Sequence, residues 1–312
     1  MRQALLVLLP LALLPHAGRS QSTLVPLPRS AMSVMRDGAW REWWTSTSAP
    51  TRYDSSNAVL ARVVEWQPVA TGIERGEIRI AGSGEAWRLR VILVRVDMSR
   101  FRVRAVPSRI GQDSWTLDSM SSDALLAVSG GQFKTTHAPW GWVVVGGEER
   151  DPPNLAPLAM AVAIDSAGEL RLLTPDEITA ERSAGRVPRL ALESYPSVVV
   201  DGAVPAPLQF SGAGLDVAHR DGRLGVCTLP DHRALFALTR FDALEGRAAE
   251  LPFGITAPEM AAVMGSLGCV RALLLDGGIS RQFGLRAAAG DSLLVRHRGW
   301  RSIPMAIELK AR

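Results

Sequence analysis

The residues with the clearest chemical potential lie in one stretch, which reads Ala-Leu-Leu-Leu-Asp-Gly-Gly-Ile-Ser-Arg-Gln-Phe at 272–283. Its apolar run ends on Asp276, a pattern typical of a buried strand that leaves a carboxylate at the end of a sheet. Gly277 and Gly278 carry no Cβ, so their backbone N–H groups can come close to a ligand, and Ser280 adds a hydroxyl. We interpret this turn as one wall of a binding site; the alternative is an ordinary strand-to-loop turn.

A near-copy of this pattern occurs earlier, at 124–133, where the chain reads Ala-Leu-Leu-Ala-Val-Ser-Gly-Gly-Gln-Phe. Ser129 takes the place of the acid, Gly130 and Gly131 follow, and Gln132 supplies an amide. Two such turns predict opposite walls of one site, in which the later turn carries the charge. The earlier turn would then contribute shape and backbone hydrogen bonds.

Arginines supply the positive charge that such a site needs. The segment His-Arg-Asp-Gly-Arg contains Arg220 and Arg223, and a guanidinium can bind a phosphate through two parallel hydrogen bonds. Together with the glycine turns and Asp276, these parts suit a ligand that has both a sugar and a phosphate. A sugar-binding module could use the same set, and Asp276 could serve as nucleophile, base or hydroxyl anchor. Asp201 and Asp221 are the candidates for a second carboxylate.

Several common catalytic motifs are absent from the sequence. It has no Gly-x-Ser-x-Gly elbow, no His-Glu-x-x-His, no phosphate-loop lysine and no calcium-loop pattern. Cys227 and Cys269 have no cysteine or histidine partner at zinc spacing. We therefore predict a site without a metal or a cofactor. The apolar surroundings of the two cysteines favour buried free thiols over a disulfide, which an oxidising compartment would permit.

Residues 1–20 are typical of a signal peptide. Arg2 precedes an apolar run at 5–14, and small residues follow it. The run is too short for a good transmembrane helix, and no later run is long and apolar enough to span a bilayer. We expect cleavage near Ser20 and export to the periplasm or the extracellular space, with no transmembrane segment after cleavage.

Composition and charge narrow the classes of partner. The 312 residues are 47% hydrophobic and 21% charged, which predicts a packed globular core. The formal net charge is +4, and loss of Arg2 and Arg19 with the signal peptide would lower it to +2. The basic residues are dispersed and form no run with interleaved aromatic residues, so we do not expect nucleic acid as a partner. The oligomeric state is not indicated.

The elements that must position the two turns follow from periodicity and capping residues. Thr256–Gly268 is the clearest helix, since Thr256 can cap it, Pro258 lies in its first turn and Gly268 can terminate it. A second helix is predicted at 113–126, so that a helix, a strand and Gly-Gly occur in this order twice. Alternating apolar residues predict three antiparallel strands before it, at 72–80, 87–98 and 101–108.

The fold class predicted from these elements is α+β, as one mixed-sheet domain over residues 72–312. Residues 21–71 have little regular pattern and are interpreted as an N-terminal extension. Trp40, Trp43 and Trp44 have the spacing of one helix face. A short helix that docks on the domain is favoured there over a platform for stacking sugars.

The order of the motifs resembles the phosphodiester glycosidase family. Ser-Gly-Gly-Gln-Phe with the following Pro-Trp-Gly and Gly-Gly at 129–147 is similar to the family's Asn-Gly-Gly-x-Phe … Pro-x-Gly … Gly block. The segments Ser-Val-Val-Val-Asp-Gly at 197–202, His-Arg-Asp-Gly-Arg-Leu-Gly-Val at 219–226, and the helix with Leu-Asp-Gly-Gly-Ile-Ser at 254–283 follow in the family's order. The resemblance covers about residues 72–309, and only the ordered set of motifs is specific.

This resemblance implies an exported hydrolase that cleaves a glycosyl-1-phosphodiester bond in a saccharide or envelope glycan. Asp276 and either Arg220 or Arg223 would be catalytic. The residues implied in substrate binding are those of the two turns: Ser129, Gly130, Gly131, Gln132, Gly277, Gly278 and Ser280. Two departures are Ser129 in place of the family's Asn and Gln132-Phe133 in place of Phe-Phe. The alternative is a non-catalytic saccharide-binding or exopolysaccharide-associated envelope protein with the same fold.

Overall fold

A computed structural model of the chain describes residues 25–106, 114–212, 215–243 and 246–312. The predicted signal peptide at 1–20 lies outside these residues. Strands dominate, and the described ranges contain two α-helices, α1 (Pro175–Ser183) and α2 (Ala257–Ser266). Neither of these helices is long and apolar enough to cross a membrane.

The strands are numbered in chain order. The first eleven are β1 (Val25–Pro26), β2 (Ala31–Arg36), β3 (Ala39–Thr45), β4 (Gln67–Ala70), β5 (Ile73–Gly82), β6 (Leu89–Val96), β7 (Phe101–Val106), β8 (Ala124–Ser129), β9 (Val143–Val145), β10 (Glu148–Asp151) and β11 (Met160–Ile164). The others are β12 (Leu170–Leu173), β13 (Leu190–Ser194), β14 (Ser197–Val199), β15 (Phe210–Ser211), β16 (Leu224–Thr228), β17 (Ala234–Phe241), β18 (Arg271–Leu274), β19 (Phe283–Leu285), β20 (Val295–His297) and β21 (Ala306–Ala311).

These strands form four sheets rather than one. A nine-stranded sheet has the order β14-β18-β16-β17-β6-β5-β2-β3, with β4 also paired to β5. Two five-stranded sheets have the orders β10-β9-β13-β11-β12 and β20-β19-β8-β21-β7, and β1 pairs with β15. Every one of these pairings is antiparallel, for example β16 with β18 and β8 with β21. The prediction of a mixed sheet is therefore corrected: tight turns connect many of the strands, and parallel pairing would need long crossovers.

The segment interpreted as an N-terminal extension contributes strands to the nine-stranded sheet. Strand β2 pairs with β5, and β3 pairs with β2. The predicted helix at Trp40, Trp43 and Trp44 is wrong, because all three residues lie in β3. Trp44 is buried in the core while Trp40 is 45% exposed, so the three rings do not form one platform.

The predicted capping of helix α2 by Thr256 is confirmed. Thr256 Oγ1 accepts a hydrogen bond from the Glu259 N–H, and the Glu259 side chain accepts one from the Thr256 N–H, which completes a capping box. All residues of the helix are buried, and it packs against β14 and β18. The chain then turns at Gly268, whose φ is +88°, and leads into the strand that ends beside Asp276.

The predicted helix at 113–126 is wrong. Its first residue lies outside the described ranges, and the rest holds a 3-10 turn at Leu117–Ser119 followed by β8. The Trp115 N–H donates to the Ile303 carbonyl at 2.7 Å, and the Ile303 N–H returns a bond of 3.0 Å. Long-range pairing with the C-terminal part of the chain therefore overrides the local apolar spacing. Within the part of the chain that the structure describes, the order helix, strand, Gly-Gly occurs only at α2.

A disulfide joins Cys227 of β16 to Cys269 in the turn after α2, with 5.8 Å between the Cα atoms. The expectation of two free thiols is therefore wrong. The bond ties the helix turn to the sheet through two buried side chains. The pairing depends on a contact between residues 42 positions apart, and local composition does not reveal such a contact.

Candidate functional site

The two Gly-Gly turns meet at the end of β18. The Asp276 N–H donates to the Gly130 carbonyl at 2.9 Å, so the two turns are hydrogen-bonded neighbours. A cleft of about 210 Å³ opens there. Its lining comes from the end of β18, both turns, the segment before β16 and the segment before β21: Gln132, Asp221, Arg223, Leu274, Leu275, Asp276, Gly277, Gly278, Ile279, Ser280 and Arg301.

Asp276 is the most unusual ionisable group in this cleft. Its side chain is mostly withdrawn from water, since the residue is 9% exposed, and Oδ2 has no hydrogen-bond partner among the described residues. Burial raises the pKa of Asp276 to about 7, and the negative charge of Asp221 acts in the same direction. The positive charge of Arg301 and a hydrogen bond from Ser280 lower this pKa without cancelling the effect of burial. The carboxyl group can therefore exchange a proton near neutral pH.

The turn after Asp276 has little room for side chains. Gly278 has φ +57°, and its N–H donates to the Gly222 carbonyl at 2.8 Å. A Cβ at Gly278 would lie 2.6 Å from Asp221 Oδ2, and one at Gly277 would lie 2.9 Å from the Gly222 carbonyl oxygen. The glycines thus allow the segment with Asp221 to pack against the turn. The Gly278 N–H is bonded within the protein, which corrects the expectation that it donates to a ligand.

Arg301 is a cleft residue that sequence reasoning missed. Its Nε donates to Ser280 Oγ at 2.6 Å, and its guanidinium lies 4.7 Å from the ring centroid of Phe133. These two contacts fix a positive charge beside Asp276. The surrounding Gly-Trp-Arg-Ser has no motif, so only the pairing of β19 with β8 and β20, which brings this part of the chain to the turns, could have indicated it.

The two candidate arginines, Arg223 and Arg220, have different surroundings in the structure. Arg223 lines the cleft, and its guanidinium donates to the Ile255 carbonyl at 2.8 Å and the His219 carbonyl at 2.7 Å. Burial lowers the pKa of Arg223, against the attraction of nearby carboxylates. Arg220 instead forms two bonds of 2.8 Å to the carboxylate of Glu259 and does not line the cleft. The structure brings Arg223 to Asp276 and leaves Arg220 at the start of α2.

The first turn contributes mainly internal contacts. Ser129 is fully buried; its Oγ donates to the Ser280 carbonyl at 3.0 Å and accepts from the Gln282 N–H at 2.7 Å. The Gly130 N–H donates to the Met305 carbonyl at 3.0 Å, and a Cβ at Gly131 would collide with the Glu193 carbonyl. Gln132 alone of these residues lines the cleft. Ser129 thus holds the two turns together, and it does so through its hydroxyl.

The two candidates for a second carboxylate separate in the same way. Asp221 lines the cleft, accepts a hydrogen bond from the Gly222 N–H at 2.8 Å and lies 3.7 Å from His219 Nε2. Asp201 is an exposed partner of Arg271, at 2.6 Å, outside the cleft. Of the two candidates, Asp221 is therefore the one that shares the cleft with Asp276. Within the described ranges, no group of three or more His, Cys, Asp or Glu residues is arranged to hold a metal ion.

A larger groove of about 570 Å³ lies elsewhere, beside the disulfide. Its charged side chains are engaged with neighbours: Asp201 pairs with Arg271, Asp231 with Arg233, and Arg95 with Glu74. The carboxylates that line this groove, Asp54, Asp201 and Asp231, are all exposed, unlike Asp276. The chemistry therefore points to the smaller cleft.

Comparison with known proteins shows the family to which the chain belongs. The family model described as phosphodiester glycosidase matches residues 122–308, more than half of the chain. The chain belongs to the phosphodiester glycosidase family. The matched range contains both glycine turns, Asp221, Arg223 and Arg301, so every polar residue of the cleft lies within it. No curated protein matches the chain by sequence.

Two solved structures share the fold. The catalytic domain of zebrafish N-acetylglucosamine-1-phosphodiester alpha-N-acetylglucosaminidase, auto-inhibited by its pro-peptide, has a TM-score of 0.58 and 14% identity, with 84% of this chain and 96% of that chain covered. A hypothetical protein from Synechocystis has a TM-score of 0.57 and 15% identity, with 80% of this chain covered. This chain spans 64% of the length of the Synechocystis protein. At these identities the likeness shows the fold alone.

Proposed function

We propose that this protein is an exported hydrolase that cleaves a glycosyl-1-phosphodiester bond. Membership of the phosphodiester glycosidase family supports a glycosidase-type hydrolase. The observation that carries the finer proposal is the cleft, where the buried carboxyl of Asp276 lies beside Arg223 and Arg301. Two arginines next to a carboxyl group suit a substrate with a phosphate attached to a sugar.

The chemistry of the leaving group determines what Asp276 must do. Hydrolysis breaks the bond between C1 of the sugar and a phosphate oxygen, and the electron pair leaves with the phosphate. A phosphate monoester has a second pKa of about 6, so it can leave without a proton. The attacking water must lose a proton as its oxygen bonds to C1. We assign that proton to the ionised carboxylate of Asp276, whose pKa of about 7 suits a general base.

The arginines have a separate task in this scheme. Arg223 and Arg301 bind the phosphate and stabilise the negative charge that it gains as the bond breaks. Ser280 and Phe133 hold the guanidinium of Arg301 in place before substrate arrives. Asp221 increases the basicity of Asp276 through its negative charge.

The decisive experiment is turnover of UDP-sugars and simple glycosyl phosphodiesters by the wild-type protein and by Asp276→Asn. We expect release of free sugar by the wild type and a loss of about 10³-fold in kcat for the variant, since general-base assistance contributes 10²- to 10⁴-fold. Unchanged turnover in Asp276→Asn contradicts the assignment. Saccharide binding without any product, even over long incubation, would instead indicate the non-catalytic envelope protein.

The pH dependence distinguishes a base from an acid. The ionised fraction of Asp276 increases as the pH rises towards about 7, so kcat/KM should rise about tenfold per pH unit below that value and level off above it. A profile that falls through pH 7 would assign the protonated form to the reaction. A covalent sugar trapped on Asp276 would assign the role of nucleophile.

Export remains part of the proposal. The disulfide between Cys227 and Cys269 supports an oxidising compartment, where such bonds persist. Expression of the full chain in a bacterium, followed by fractionation and mass measurement, should find a periplasmic or secreted protein shortened by about 20 residues. A full-length protein in the cytosol would contradict export.

A further inference from the structure

Two aromatic side chains stack beside the cleft without taking part in the proposed reaction. The rings of Trp140 and Tyr195 have centroids 5.5 Å apart and planes inclined by 30°. Both residues are half-buried, so neither is fully enclosed by the protein. Gln132, which lines the cleft, connects them: its carbonyl accepts from the Trp140 N–H at 2.9 Å, and its Nε2 donates to the Tyr195 carbonyl at 2.6 Å.

Two further hydrogen bonds, made by Ser194, connect the pair to the strand that leads to Asp276. Ser194, which precedes Tyr195, donates from Oγ to the Leu274 carbonyl at 2.8 Å and accepts from the Gln132 N–H at 3.3 Å. Leu274 and Gln132 are both cleft residues. The aromatic pair is therefore attached directly to two walls of the cleft.

The backbone after Trp140 is equally constrained. A Cβ at Gly141 would collide with the Glu193 carboxylate, and the Trp142 N–H donates to that carboxylate at 2.6 Å. Glu193 also accepts from the N–H groups of Asn154 and Leu155, at 2.8 and 2.9 Å. Trp140 thus projects from a rigid support, which reduces the entropic cost of binding a ligand against its ring.

We propose that Trp140 and Tyr195 form a subsite for a further sugar ring, so that the substrate is a saccharide chain that carries the phosphodiester. The C–H face of a pyranose is apolar and flat enough to pack on an aromatic ring, while its hydroxyl groups stay in water. This inference rests on the proposed function, and it adds the substrate class: an oligosaccharide or polysaccharide rather than a lone glycosyl phosphate.

The test compares short and long substrates on Trp140→Ala. The short substrate is a methyl phosphodiester of one sugar. Two long substrates carry a trisaccharide, one on the sugar side of the phosphate and the other on the opposite side. For Trp140→Ala we expect KM to rise about tenfold for one of the two long substrates, with its kcat unchanged and with KM and kcat for the short substrate unchanged. Trp140→Phe, which keeps an aromatic face, should recover most of the loss. Trp40→Ala is the matched control, since Trp40 is an exposed tryptophan that does not line the cleft.

Each other result overturns the subsite. An equal loss on short and long substrates would mean that Trp140 only supports the cleft, and unchanged KM for all substrates would mean that the pair binds nothing. A difference in KM that persists in Trp140→Phe to the same extent would point to lost folding rather than lost stacking, and a lower thermal midpoint would show it.

A binding experiment separates this inference from the proposed function. Chitotriose, cellotriose, maltotriose and mannotriose contain no phosphate, and their binding to the wild type and to Trp140→Ala can be measured by calorimetry. If no phosphodiester is hydrolysed, the proposed function fails, yet a trisaccharide bound about tenfold more weakly by the variant would still support the subsite. Failure of all four to bind, or equal binding to both proteins, overturns it.

Discussion

The ionised carboxylate of Asp276 is destabilised by burial, and the effect can be measured in the free energy of unfolding. Burial raises its pKa in the folded protein to about 7 from an ordinary value of 3.8, so the folded state holds the proton more tightly than the unfolded state. The protonated carboxyl group of Asp276 therefore makes its full contribution to stability below about pH 4, and this contribution is lost as the pH rises to about 7. The loss can reach about 4 kcal/mol, at about 1.4 kcal/mol per pH unit.

Asp276→Asn removes this titration and should gain stability relative to the wild type as the pH rises. We expect the difference in the free energy of unfolding, measured with denaturant, to grow in favour of the variant from pH 4 to pH 7 and to stay constant above pH 7. A difference that is the same at pH 5 and pH 8 would mean that the carboxyl group keeps an ordinary pKa. It would also remove the basis for its role as a base at neutral pH.

Gly278 is the residue where the turn depends most on the absence of a side chain. In Gly278→Ala the new Cβ would meet both carboxylate oxygens of Asp221, at 2.6 and 3.1 Å, and the residue would be strained at φ +57°. We expect a loss of stability of about 1–2 kcal/mol and a larger loss of kcat, because Asp221 must move.

The matched control is Gly290→Ala. Gly290 also has a positive φ, of +84°, but no atom lies within 4 Å of its added Cβ, so this variant reports strain alone. It should lose about 1 kcal/mol of stability and keep its turnover. Equal turnover in the two variants would show that displacement of Asp221 does not matter for the reaction.

At the scale of elements, the start of α2 is held by a buried ion pair. The side chain of Glu259 is 1% exposed and accepts two bonds from Arg220, which itself belongs to the segment before β16. Removal of one partner leaves a buried charge without compensation, and this usually costs about 3–5 kcal/mol. Arg220→Ala should therefore lower the thermal midpoint while the folded fraction keeps its KM.

Arg223→Ala provides the contrast, because Arg223 lines the cleft three residues further along. We expect its KM to rise at least tenfold, as one charged hydrogen-bonding partner of the phosphate is lost.

The double variant Arg220→Ala with Glu259→Gln should recover part of the stability that Arg220→Ala loses. If Arg220→Ala raises KM without lowering the midpoint, Arg220 belongs to the site after all.

The elements also show which features the sequence could reveal. Asp276 with its two glycines and Ser280, and the capped helix before them, are local patterns, and the structure has them where the pattern predicts. Arg301 was missed because a tertiary contact brings it to Ser280, and no local sequence pattern around Arg301 indicates that contact. The helix predicted around Trp115 is wrong because the prediction used local spacing alone. The backbone of Trp115 pairs with Ile303, nearly two hundred residues later.

At the scale of the whole molecule, the family match and the folded unit have different extents. The family model covers residues 122–308, whereas the sheet that contains β16 and β18 continues through β6 and β5 into β2 and β3. Trp44 and Leu60 belong to the same apolar core as α2. Ser30 Oγ also donates to the buried carboxylate of Glu259. Residues 25–71 are thus integrated into the sheet and the core that position the site.

The predicted boundary at residue 72 can be tested by truncation. A chain that begins at residue 72 would lack β2, β3 and β4, so the edge of β5 and the apolar surface under Trp44 would be exposed to water. We expect this chain to aggregate or to lose its cooperative thermal transition, while a chain that begins at residue 25 keeps both. Size-exclusion chromatography and circular dichroism measure the two properties. A monomeric 72–312 chain with an unchanged midpoint would establish residues 21–71 as an extension, because β5 would then be stable as an edge strand without β2.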